Sequence, residues 1–181
     1  MGAVQTLEPG EFTLADLDAL PEDGMRYELV DGTLLVTPAP LPIHQTAVLQ
    51  LGSRLLAACP PDLNVFVAPV DFRPDEHKSL QPDVLVCRRE DVGPKSIGHL
   101  LLAVEILSPA TRSKDLVWKR LAYQESGVAS YWIFDPEDEV LTVLELVDGR
   151  YVERAVVKGD DVFEAVVPFV VRVVPGELVS R

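Results

Sequence analysis

The chain has 181 residues, of which 48% are apolar and 25% charged, with a formal net charge of −13 and a pI near 4.5. One domain over residues 1–181 is expected, with about 11 N-terminal and 12 C-terminal residues at its periphery. Two cysteines, Cys59 and Cys87, exclude a disulfide framework or a cysteine-rich metal site, and no apolar run approaches the ~18–20 residues of a bilayer span. With no signal-peptide pattern at the N-terminus, a reduced cytoplasmic setting away from membranes is expected. The acidic balance weighs against broad attraction to nucleic acid, so such a partner would need a local basic patch. The available cations are Arg88, Arg89, Arg112, Lys114, Lys119 and Arg120.

Thr13-Leu14-Ala15-Asp16 carries a capping-box pattern and predicts a short helix ending before Pro21. Residues 27–30 and 33–36 flank Asp31-Gly32, a two-residue turn whose positive φ angles suit paired strands, so a hairpin is expected. Glu28 alternates with Tyr27 and Leu29, which puts it on the opposite, solvent side. Pro38, Pro40 and Pro42 then break the chain. Beyond them Ile43, Ala47, Val48, Leu51, Leu55 and Ala58 recur at helical spacing. His44 falls in the first turn of that helix, where a hydrogen-bonded structural histidine is the ordinary occupant.

Three strands are expected next, at residues 65–72, 83–87 and 100–107, with residues 73–80 as a polar turn between the first two. Pro82 cannot donate to a ladder and belongs at a strand entrance, so Asp83 sits at the mouth of the strand formed by Val84, Leu85 and Val86. Residues 100–107 form a continuous apolar run, as in a strand covered on both faces, broken once by Glu105. An unpaired buried charge is destabilising by several kcal/mol, so Glu105 needs a cation, a metal or a shared proton. If the two strands are neighbours, Asp83 and Glu105 reach one point. Two carboxylates with waters are a usual way to hold a hard cation such as magnesium or manganese.

Ser108-Pro109 ends the third strand, and Ser113 is placed to cap a helix over residues 114–126 that Gly127 closes. On this helix Asp115, Lys119 and Tyr123 share one face, while Val117 and Leu121 lie on another that is expected to pack on the sheet. Lys119 therefore has two readings: an i,i+4 ion pair with Asp115, or a third member of the acid site. Residues 131–135 read as a buried strand, and residues 140–146 and 151–157 as a hairpin around Asp148-Gly149. The tail after Pro168 carries no clear pattern. The order describes an α/β fold, a mixed central sheet flanked by helices with additional β-hairpins.

Several pieces carry a resemblance: Phe12 to Leu17, Arg26-Tyr27-Glu28-Leu29-Val30-Asp31-Gly32, Pro38-Ala39-Pro40 before His44-Gln45, and Gln81-Pro82-Asp83. To these add Val104-Glu105-Ile106-Leu107-Ser108-Pro109 with Thr111, Lys119 with Tyr123, Gly127-Val128, and Tyr131-Trp132. In this order and spacing they resemble the Uma-type family of putative restriction endonucleases, over roughly residues 12–157. The resemblance implies a restriction-endonuclease-like, PD-(D/E)xK fold. It makes Asp83 the Pro-Asp acid and Glu105 the acid of a Glu-x-Lys element, both as metal ligands for Mg2+ or Mn2+. Leu107 stands where that element would carry its lysine, and the resemblance implies that Lys119 takes the role. Glu28 matches an early acidic position and joins the implied catalytic set. The implied activity is metal-dependent hydrolysis of DNA phosphodiester bonds. A competing expectation is a non-catalytic module that keeps the fold for binding or oligomerisation, with a homodimer compatible with either.

Overall fold

The computed structural model describes residues 10–21, 23, 25–37, 39–108 and 114–180. The expectations placed on Pro38, Pro109, Thr111, Arg112 and Ser113 lie outside these residues, as do the side chains of Lys114 and Asp115.

Helix α1 (Leu14–Asp18) opens with the reciprocal cap: Asp16 N–H donates to Thr13 Oγ1 at 3.4 Å, and Thr13 N–H to Asp16 Oδ2 at 2.8 Å. Strands β1 (Arg26–Val30) and β2 (Thr33–Thr37) form the hairpin, with Asp31 at φ 47° and Gly32 at φ 73° in its turn. Helix α2 (Pro42–Ala58) buries His44, Ala47, Val48, Leu51, Gly52 and Leu55. Ile43 and Ala58, expected on that face, are exposed, because the buried ladder of three- and four-residue steps starts from His44.

The single strand expected at residues 65–72 is two elements in different sheets. β3 (Leu63–Val67) joins the central sheet, whereas β4 (Phe72–Asp75) pairs with β5 (Lys78–Leu80), so the expected polar turn is a hairpin. β6 (Val84–Arg88) and β7 (Leu102–Ile106) follow, the latter shorter at both ends than its apolar run. A π-helical segment (Lys114–Lys119) runs into α3 (Arg120–Glu125), and Gly127 at φ 72° ends it. β8 (Ser130–Asp135) precedes the hairpin of β9 (Val140–Val147) and β10 (Arg150–Lys158), whose turn holds Asp148 at φ 49° and Gly149 at φ 77°. β11 (Phe163–Ala165) and β12 (Val171–Val173) form a last small hairpin.

The central sheet has the order β10-β9-β8-β7-β6-β3, parallel between β7 and β8 and antiparallel elsewhere; a second sheet has the order β2-β1-β5-β4. Parallel neighbours need a crossover, and the segment containing α3 supplies it. One face of the central sheet packs Val84, Val86, Val104, Trp132 and Phe134 against α2 and the C-terminal residues Val171, Val173 and Leu178. That tail, expected at the periphery, is thus part of the core. The other face packs Leu85, Ala103 and Tyr131 against α3 and the second sheet, through Ala122, Tyr123, Val30, Phe72 and Leu80. Coverage on both sides explains why every residue of β7 and β8 is buried. The packing face of the π-helical segment and α3 reverses the expectation: Lys119 and Tyr123 point inward, while Val117 and Leu121 are 53% and 49% exposed. No helix among the described residues is long and apolar enough to cross a membrane.

Candidate active site

β6 runs antiparallel to β7 with Val84 opposite Val104, and one further step of that register sets Asp83 across from Glu105. Their strands are adjacent; Glu105 meets Tyr123 on the sheet face covered by α3, whereas Asp83, one residue before β6, meets His44 of α2 from the other layer. Asp83 is only 4% exposed. Its Oδ2 accepts the Ile106 N–H at 2.8 Å and lies 3.0 Å from His44 Nε2. Its Oδ1 faces only Arg26 Nη1, at 3.8 Å, among the described residues. Burial pushes the Asp83 carboxyl up. The His44 hydrogen bond, the charges of His44 and Lys119, and the Ile106 N–H together outweigh it and hold the group below the ordinary carboxylate range.

Lys119 stands between the other two acids, with Nζ 3.1 Å from Glu105 Oε1 and 3.0 Å from Glu28 Oε1. Tyr123 Oη donates to the same Glu105 oxygen at 2.6 Å, and the Gln81 N–H to Glu28 Oε1 at 2.7 Å. Burial first, then the negative charges of Glu105 and Glu28, raise the Tyr123 phenol well above its usual value, so it remains a donor. This cluster explains the rotation of α3. Turning Val117 and Leu121 inward would set apolar groups against two buried carboxylates, whereas turning Lys119 and Tyr123 inward gives them a cation and a donor. Glu28 is likewise corrected from the solvent side to 1% exposure. Its strand is interior to the second sheet, between β2 and β5, and its polar face meets α3 rather than water.

A polar chain supports the mouth of the site. Arg26 donates through Nε to Gln81 Oε1 at 3.2 Å and through Nη2 to the Gln81 carbonyl at 2.9 Å. Gln81 Nε2 donates to Asp71 Oδ1 at 2.8 Å, and Asp71 pairs with Arg73 at 2.8 Å. The fold therefore brings together Asp83, Glu105, Lys119 and Glu28. Lys119 is 4% exposed, which removes it from a solvated flank and from any surface basic patch; Arg88, Arg89 and Arg120 are exposed. The sequence reasoning missed Arg26 and Gln81 as supports, although both lie in the quoted stretches beside Glu28 and Asp83. It also missed Tyr123 as a donor to Glu105, signalled by its four-residue spacing from Lys119.

No three or more His, Cys, Asp or Glu side chains among the described residues form a preformed metal cage. Two neighbouring carboxylates nonetheless fit Mg2+ or Mn2+, which keep several waters and take one or two protein carboxylates. Asp83 Oδ1, turned away from the His44 and Ile106 donors and 3.8 Å from Arg26 Nη1, is the oxygen suited to it.

The chain matches the family model Uma2, described as "Putative restriction endonuclease", over residues 14–173. Its structure is similar to the crystal structure of a putative nuclease belonging to DUF820 from Anabaena variabilis. The TM-score is 0.75 at 20% sequence identity, covering 92% of this chain and 97% of that one. The likeness shows a shared nuclease-like fold. A comparison with curated proteins gives no match.

Proposed function

The chain belongs to the Uma2 family, and from that premise we propose that it is a metal-dependent DNA endonuclease acting at Asp83, Glu105, Lys119 and Glu28. The observation that carries this reading is Lys119 Nζ within 3.1 Å of Glu105 and 3.0 Å of Glu28, beside the strand mouth that holds Asp83. It supports transfer of the lysine role from the Leu107 position to the helix.

Asp83 and Glu105 would hold Mg2+ or Mn2+, which when bound lowers the pKa of a coordinated water and offsets charge on phosphate oxygens. The protein's own groups do the rest. Lys119 is a preorganised ammonium whose charge stabilises negative charge developing on the phosphate. Glu28 and Tyr123 keep Lys119 and Glu105 in place by the contacts described. Arg26, partly exposed and clamped by Gln81, presents a guanidinium at the mouth, suited to a phosphate oxygen. The covered sheet faces and the second sheet exclude bulk water from the lysine and both glutamates.

A second reading, a non-catalytic binding module, is favoured by the net charge of −13. Cleavage of supercoiled DNA with Mn2+ separates the two, comparing wild type, Asp83→Asn and Lys119→Met below the melting temperature of each. Wild-type cleavage is expected, with Lys119→Met slower by about 10²–10³. Equal cleavage by all three proteins, or none by wild type, refutes the nuclease reading.

A further inference from the structure

His44 lies in the first turn of α2 and opens that helix's buried face, yet it is polar and only 7% exposed. An apolar side chain would serve packing against Ala47 and Val48 without leaving buried polar atoms to satisfy. One ring nitrogen is used: Nε2 sits 3.0 Å from Asp83 Oδ2. The other, Nδ1, is buried with no hydrogen-bond partner among the described residues. Because a carboxylate only accepts, the Nε2 contact places a proton on Nε2. Oδ2 then receives two donors, this N–H and the Ile106 N–H at 2.8 Å, from different elements. Two donors on one oxygen set the plane of the carboxylate and leave Oδ1 on the side of Arg26.

We propose that His44 is a positioning residue whose Nε2–H locks Asp83 so that Oδ1 alone is presented to the metal and the scissile phosphate. The inference rests on the reading of Asp83 as a metal-holding acid. Groups that orient a ligand from behind typically change metal affinity 10–100-fold when removed. His44 differs from a packing residue in that its effect must follow the Nε2 position.

The test is calorimetric titration of Mn2+ into wild type, His44→Ala, His44→Gln and His44→Asn, with thermal melting to show that each is folded. A glutamine amide reaches the place of Nε2, whereas an asparagine amide reaches only that of Nδ1. His44→Gln is expected to bind Mn2+ much as wild type does, and His44→Asn and His44→Ala about 10–100-fold more weakly. If His44→Ala does not fold, the glutamine and asparagine variants carry the comparison. Wild-type affinity in all variants, or in His44→Asn but not His44→Gln, overturns the inference alone. Absence of Mn2+ binding by wild type overturns the metal reading of Asp83 first, and this inference with it.

Discussion

Replacing Lys119 with methionine keeps most of the side-chain stem and removes the ammonium, so it tests charge rather than packing. At 4% exposure Lys119 is little screened by water, and its Nζ lies 3.0 Å from Glu28 and 3.1 Å from Glu105. The variant leaves both carboxylates buried without the cation between them, and removing one partner of such a cluster costs about 3–5 kcal/mol. In a domain of this size each kcal/mol moves the melting temperature by roughly 2–4 °C, so the expected fall is about 6–20 °C. Differential scanning calorimetry of wild type and Lys119→Met in metal-free buffer at neutral pH measures it. A companion variant carrying Lys119→Met with Glu28→Gln and Glu105→Gln should recover much of the loss, since the acids that Lys119 neutralises are then uncharged. A loss below about 1 kcal/mol, the magnitude of a solvated surface pair, would refute the buried ion triad.

Two neighbouring carboxylates repel, and on that ground alone Glu105→Gln would leave the metal-free protein as stable or more stable. The Lys119 and Tyr123 contacts argue the reverse, so a loss of about 1.5–3 kcal/mol in urea unfolding is expected, and a gain in stability would contradict it. At alkaline pH, the phenols of Tyr123 and Tyr151 should make stability fall. Burial raises both in the folded state, so their contribution is complete below about pH 10 and is lost as pH rises toward the folded values. Tyr151→Phe should flatten that decline between about pH 9 and 11 in urea titrations, and an unchanged slope would show that Tyr151 titrates normally.

Local signals carried much of the fold. The Thr13–Asp16 cap and the turns at Asp31-Gly32 and Asp148-Gly149 depend on contacts within a few residues, and all three form as read. Pro82 and the lone acid in an apolar run located Asp83 and Glu105, because each breaks a rule of strand composition that only a site or a partner explains. What depended on distant elements was harder to read. Alternation gave Glu28 a face, but that face is inside because a second sheet packs there. Helical spacing separated Val117 and Leu121 from Lys119 and Tyr123. The choice of the inward face came from carboxylates on two other strands. The tail left one usable trace, the alternation of Val171 and Val173 about exposed Arg172, too short to assign as a strand without the hairpin partner at β11.

The energetics of the acid cluster bear on whether it exists for stability or for chemistry. A buried ionic group can often be exchanged for well-packed apolar residues without loss, so ion pairing alone gives a weak reason to keep Glu28, Glu105 and Lys119 inside. The geometry at Asp83 adds a second reason. Asp83 Oδ2 takes the His44 and Ile106 donors, while Oδ1 lies 3.8 Å from Nη1 of Arg26, the partly exposed guanidinium at the mouth of β6. A module that used these acids purely as structural struts has no need of one acid held by two donors with its other oxygen turned toward a partly exposed cation. Residues that break local rules of strand composition concentrate at functional sites, and an oriented acid at this strand mouth favours chemistry over a purely structural role despite the acidic charge of the whole chain.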